Sequence, residues 1–108
     1  MQLDTTQAAD NLAKALAELR PEIRAMLAED LPEEQRLAEQ AYGRQDWPSL
    51  QEHIHRLHGT ALFCRLDALK ILCAGIENGL KQHHLPSADA MSALAAEINR
   101  ILASTVPG

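Results

Sequence analysis

Aromatic side chains are scarce: one Trp, one Tyr and one Phe in 108 residues. Sandwiches and barrels rely on aromatic and β-branched residues at alternating positions, and no stretch here alternates as a strand would. Only two cysteines occur, Cys64 and Cys73, nine apart and without a C-x-x-C pair, so the expectation is a pair of buried, reduced thiols. No apolar run approaches the ~20 residues that cross a bilayer, and no signal-peptide pattern opens the chain. A cytoplasmic location with no direct membrane contact is therefore expected, either for a free protein or for the soluble part of a larger membrane protein. Positive charge is in deficit, with a formal net charge of −5, which argues against a general nucleic-acid binder. Glycine-rich phosphate loops, a Walker-type lysine and a nucleophile elbow are all missing, so neither ATP binding nor nucleophilic hydrolysis is expected.

What remains is a chain that is 46% hydrophobic and dominated by Ala and Leu, the composition of a helical bundle. Leu12, Leu16, Leu19, Ile23 and Met26 repeat at three-and-four spacing, with Thr5, Thr6 or Asp10 available as a cap. Pro21 suits the first turn of a new helix. The run Leu31-Pro32-Glu33-Glu34 reads as a second interruption and another helix start, whose helix carries Leu37, Ala38, Ala41 and Tyr42 and stops at Gly43 as its C-terminal cap. Asp46 can cap a helix opening with Trp47-Pro48 and running to about residue 63. A turn at Cys64-Arg65-Leu66 leads to Asp67 as a further cap. Leu69, Leu72, Cys73, Ile76 and Leu80 then form a strong stripe that ends near His83, His84 and Pro86. The last helix shows Met91, Leu94, Ile98, Ile101 and Leu102 on one face and frays into Ser-Thr-Val-Pro-Gly. Each stripe must be buried against others, and short connections make neighbours antiparallel. The expected fold is all-α: an antiparallel up-down four-helix bundle with one additional N-terminal helical segment.

The stretch that stands out is His53-Ile54-His55-Arg56-Leu57-His58-Gly59. At about 100° per residue, Trp47, Leu50, Ile54, Leu57 and Ala61 fall in one arc, the buried face. His55 lies roughly 120° from the centre of that arc and Gly59 roughly 160°. An exposed helix has no packing reason to accept an interior glycine, which costs about 1 kcal/mol relative to alanine. A bare patch beside an outward imidazole does allow another protein surface to approach closely. The surrounding segment 53–84 holds all five histidines and a net +2, leaving −7 for the rest, which suits an anionic group or an acidic partner surface.

Several chemistries compete for these histidines. His55 and His58 have a workable metal-ligand spacing, but no carboxylate completes a ligand pattern on that helix, so no metal site is expected. His53, His83 and His84 read best as solvated residues without a specific role. His55 reads best as a phosphoryl acceptor. An imidazole with an unperturbed pKa near 6.5 offers one free ring nitrogen at neutral pH, and His58, Arg56 and Lys81 are candidate cations for the product. A docking module that works without phosphorylation, and a metal- or cofactor-binding bundle, are the competing classes.

His55-Arg56-Leu57-His58-Gly59-Thr60, followed by Leu69-x-x-Leu72-Cys73 and Ile76-Glu77, resembles the histidine-containing phosphotransfer (HPt) domain. That family's signature reads H-x-L-K-G-A/S, then a G-x-x-x-L turn and L-x-x-x-C-x-x-L/I-E. The likeness is greatest to the C-terminal modules of tripartite hybrid sensor kinases, and it covers residues 19–103. It implies a single domain over 1–108, with 1–18 as an N-terminal helical extension and 19–103 as the bundle. It also implies that His55 carries the phosphoryl group on Nε2, that His58 replaces a lysine near that group, and that Gly59 is the clearance position. Glu77 would accept a hydrogen bond from the His55 Nδ1–H. Receiver domains of response regulators or a hybrid sensor kinase are the implied partners. They would dock on the face around His55, His58, Gly59 and Leu62, helped by apolar residues of the N-terminal helix. The protein itself would be a monomer without a cofactor, since the receiver brings the Mg²⁺. Arg65 departs from the pattern by standing where the family has glycine.

Overall fold

The structure, a computed structural model, describes residues 5–105, with side chains from Asp10 onward. It contains α1 (Thr5–Ala17), α2 (Pro21–Gly43), α3 (Trp47–Cys64), α4 (Asp67–Lys81) and α5 (Ala88–Thr105), with no strand among the described residues. Connections of three, two and six residues separate α2, α3, α4 and α5, which turns each helix back on the one before it. Contacts run α2 to α3, α3 to α4, α4 to α5 and α5 back to α2, so the four helices close a ring, and α1 lies against α5. The centre is filled by Leu27, Leu31, Leu50, Ile54, Leu57, Leu69, Cys73, Leu94, Ile98 and Ile101, all buried. Leu12 and Leu16 of α1 join the same core.

The break expected at Leu31-Pro32 does not occur: α2 runs through Pro32 for 23 residues. Leu27, Leu31, Ala38 and Ala41 are buried on one side, and their spacing keeps helical phase across the proline. Pro32 is exposed, so the Ala28 carbonyl that loses its N–H partner lies on the side open to water. An interior proline costs ~3 kcal/mol, whereas burying Leu27 and Leu31 returns roughly 1.5–3 kcal/mol each. Packing therefore keeps the helix whole.

The helix ends also differ from the sequence expectation in detail. Asp10 lies inside α1 and does not cap it, while the side chains of Thr5 and Thr6 lie outside the described residues. Ser104 and Thr105 are helical rather than frayed, and residues 106–108 lie outside the described chain. Asp46 does cap α3, accepting from the Ser49 amide at 3.3 Å and its hydroxyl at 2.8 Å. Asp67 sits one position inside α4 instead, where its carboxylate still meets the positive end of the helix dipole, and Leu66 holds the cap position without a side-chain bond.

Gly43 is the last helical residue of α2 and does not take the left-handed turn. That position falls to Gln45 at φ 59°, with Gln45 N–H bonded to the Tyr42 carbonyl and Asp46 N–H to the Ala41 carbonyl. The same paired bonds close α3 at Arg65, φ 58°, and α4 at His83, φ 62°. Three helices thus end in the same left-handed motif with no glycine at its left-handed position. Leu66 follows Arg65 into the core beside Ala61, the apolar contact that holds such a motif closed.

Arg65→Gly should raise the unfolding free energy by about 0.5–1 kcal/mol, the left-handed strain of about 1–2 kcal/mol less the freedom glycine gains when unfolded. Arg65→Val should lower it. Urea unfolding of the three proteins checks this, and an equal or lower midpoint for Arg65→Gly would show that the strain at the turn does not exceed the freedom glycine gains when unfolded.

Candidate functional site

The apolar arc of α3, Leu50, Ile54, Leu57 and Ala61, is buried, which leaves His55 outward with 74% of its side chain exposed. Across from it, α4 buries Leu69, Cys73, Ile76 and Leu80 and, on the same side, Glu77. Glu77 is the one charged residue buried among the described side chains, 6% exposed. Its two oxygens are divided between two rings of α3. The Nδ1 of His55 lies 2.7 Å from Oε2, and the Nδ1 of His58 lies 3.0 Å from Oε1. The Lys81 ammonium, one turn along α4, is 3.9 Å from Oε2.

Burial opposes the charge on Glu77, but the bonds from His55 and His58 together with the Lys81 charge outweigh it and hold the carboxyl below the usual range. An ionised carboxylate only accepts, so both Nδ1 atoms must carry the proton. In the neutral form of each ring, that makes it the Nδ1–H tautomer with Nε2 free as a lone-pair donor. Of the two, His55 is open to a partner, whereas His58 is only 24% exposed. Lys81 is the basic side chain that shares the Glu77 carboxylate with the two rings.

Arg56 is not drawn in. Its guanidinium lies 3.5 Å from Glu34 and 3.8 Å from Glu52, on the α2 side of α3. His53, expected to be solvated and without a specific role, is instead half-buried, and its Nδ1 lies 3.1 Å from Glu34 Oε2. Glu34 therefore ties α3 to α2 through two side chains, and neither its role nor that of His53 was visible in the sequence pattern. His83 and His84 are exposed, as expected.

A Cβ on Gly59 would meet no atom within 4 Å, so nothing inside the chain demands glycine there. Beside it, an open groove of ≈ 580 Å³ runs between α2 and α3 past Met26, Asp30, Glu34, Arg56, Gly59 and Phe63. Met26 and Phe63 are exposed apolar residues lining this opening, Phe63 at 69%, and Leu62 is exposed outside that lining. The single Phe of the chain is thus on the surface. The helical wheel places it opposite the buried arc, a signal that the sequence pattern carries on its own.

The family model of the Hpt domain matches residues 22–104. The chain belongs to the Hpt domain family. It is 34% identical over 90 residues to Sensor protein GacS of Pseudomonas syringae pv. syringae, covering 83% of this chain and 10% of that protein. Against Sensor histidine kinase GacS of Pseudomonas protegens the identity is 32% over 92 residues, covering 85% of this chain and 10% of the relative. The chain thus spans about a tenth of the length of these relatives. No solved structure matches it.

An Hpt domain is a phosphocarrier, and its work is histidine phosphotransfer in a phosphorelay. The bundle and the resemblance to hybrid-kinase modules agree with that membership. In this Hpt domain α1 lies outside the matched residues. Burial, and then the Glu77 charge, pushes the Cys73 thiol up to about 12, and burial also raises Cys64, so neither supplies a thiolate. Among the described residues no group of three or more His, Cys, Asp or Glu is arranged to hold a metal ion, and no helix is long and apolar enough to cross a membrane.

A carboxyl whose folded pKa lies below its unfolded value stabilises the fold fully above the unfolded pKa. That contribution is lost as pH falls through the folded one. Wild type should therefore lose stability below about pH 4.5 partly through Glu77. Glu77→Gln should flatten that segment and cost about 1–3 kcal/mol at neutral pH, because both imidazole N–H groups lose a charged acceptor and one of them loses its acceptor altogether. Denaturant unfolding at a series of pH values checks both; parallel curves for the two proteins would show that Glu77 carries no linkage.

Proposed function

We propose that His55 is the residue that accepts the phosphoryl group, through Nε2, from the aspartyl phosphate of a receiver domain and passes it to the aspartate of another. The observation that carries this reading is the 2.7 Å bond from His55 Nδ1 to Glu77 on a ring that is otherwise exposed. With Nδ1 protonated, the Nε2 lone pair attacks phosphorus without first losing a proton. The N–P bond forms as the bond from phosphorus to the bridging aspartyl carboxyl oxygen breaks, and the aspartate leaves with that electron pair as a carboxylate. The ring gains positive charge in that step, and the Glu77 carboxylate on its other nitrogen stabilises it. Lys81, 3.9 Å from the same carboxylate, contributes the positive charge of this cluster in this reading.

The partners in this reading are response-regulator receiver domains or a hybrid sensor kinase. The receiver supplies the Mg²⁺ and its own acidic pocket, while the carrier contributes a positioned nucleophile and a docking face, without ATP binding or autokinase activity. Gly59 keeps that face clear, with Leu62, Phe63 and Met26 as apolar contacts. The carrier acts as a monomer in the cytoplasm.

His55→Gln should abolish phosphate acceptance from phosphorylated receiver domains while leaving helicity and unfolding midpoint near wild type, because the site is on the surface. Acid-labile, base-stable label on His55→Gln would refute the assignment. Gly59→Gln fits the fold, since its Cβ meets nothing, and should slow transfer at least tenfold by standing between the two proteins, an effect of about 1.4 kcal/mol or more on docking. Transfer at the wild-type rate would remove the clearance role.

A further inference from the structure

Glu77 can orient His55 only if its own carboxylate is held in one rotation. The side chain has three rotatable bonds, and a carboxylate swings readily about the last of them. Among the described residues only two hydrogen bonds reach it, from His55 Nδ1 and from His58 Nδ1. The Lys81 ammonium at 3.9 Å is beyond hydrogen-bond distance, and that side chain is mostly exposed. From α3, His55 and His58 are the groups that face Glu77; from α4, Lys81 and the Cys73 thiol lie near it. His58 is therefore the one fixed donor, apart from His55 itself, that keeps the second oxygen occupied.

We propose that His58 is a positioning residue: its Nδ1–H on Glu77 Oε1 fixes the carboxylate so that Oε2 holds His55 in the Nδ1–H tautomer with Nε2 free. The inference rests on the reading of His55 as the acceptor. It separates the roles of two histidines one turn apart on the same helix. Both rings share the tautomer, but His55 is 74% exposed and His58 24%. A partner thus reaches the first, while the second faces the carboxylate. Without His58, one oxygen of a buried carboxylate lacks its hydrogen bond. Glu77 then gains by turning toward water, and the His55 ring is released to exchange its proton between the two nitrogens.

The test compares wild type with His58→Leu, which removes the donor, and His58→Asn, whose amide N–H₂ stands about where Nδ1 does. Ring ¹⁵N NMR at mildly alkaline pH reads the His55 tautomer. Phosphoramidate, a small P–N donor, reads the reactivity of Nε2 with no receiver present. His58→Leu should lose the Nδ1–H preference of His55 and accept phosphate about 3- to 10-fold more slowly, the range an ordinary hydrogen bond is worth. His58→Asn should retain both, which a merely structural role would not require. Circular dichroism checks that each variant is folded. An unchanged His55 tautomer and rate in His58→Leu would overturn the proposal, and so would wild-type label found on His58. Label on His55 from phosphoramidate but from no receiver would remove the relay reading and leave the positioning role standing. If His55 takes no label at all, the acceptor reading falls, and the tautomer measurement still decides whether His58 positions the ring.

Discussion

A carboxylate buried between two helices is the constraint around which this site is arranged. Glu77 is charged in a place that penalises charge, and it is tolerated because two imidazoles from α3 and an ammonium from its own helix surround it. That arrangement requires α3 and α4 to meet in one register, which the two-residue connection at Arg65-Leu66 and the buried contacts of Leu57, Ala61, Leu69 and Cys73 impose. The division between the helices follows. One carries the nucleophilic ring, and the other carries the group that decides which nitrogen is free.

The remaining helices make that register durable. α2 stays continuous through an exposed proline because its apolar side does not slip, and through Glu34 it grips His53 and Arg56 on the opposite flank of α3. The histidine helix is thus tied on both sides by a carboxylate from a neighbour. Side chains mounted on packed helices hold their positions more closely than side chains on loops, as suits a site whose geometry depends on the difference between two nitrogens of one ring.

Helical periodicity made most of this architecture legible in advance, including the buried arc of α3, the stripe of α4 and the outward direction of His55 and Gly59. The continuity at Pro32 was not, because local propensity signals a break and only the buried leucines on either side override it. Nor were the left-handed ends at Gln45, Arg65 and His83, where tertiary closure imposes a conformation usually left to glycine. The Glu77–His55 contact was legible only through the resemblance to a family. Its sharing with His58, and the pairing of His53 with Glu34, depend on how two helices face each other across many residues of sequence. The function expected from the histidine motif agrees with the family to which the chain belongs.

The groove beside Gly59 has acidic residues along one side, with Asp30, Glu33 and Glu34 close to exposed Met26 and Phe63. Two copies meeting groove to groove would bring three carboxylates of each together against a single Arg56 guanidinium on each side while burying the same apolar side chains. Exposed apolar side chains also line another groove, Ile71 and Leu85 between α4 and the start of α5. At the groove beside Gly59, a protein surface with positive charge next to its own apolar contacts would meet no such barrier from these carboxylates.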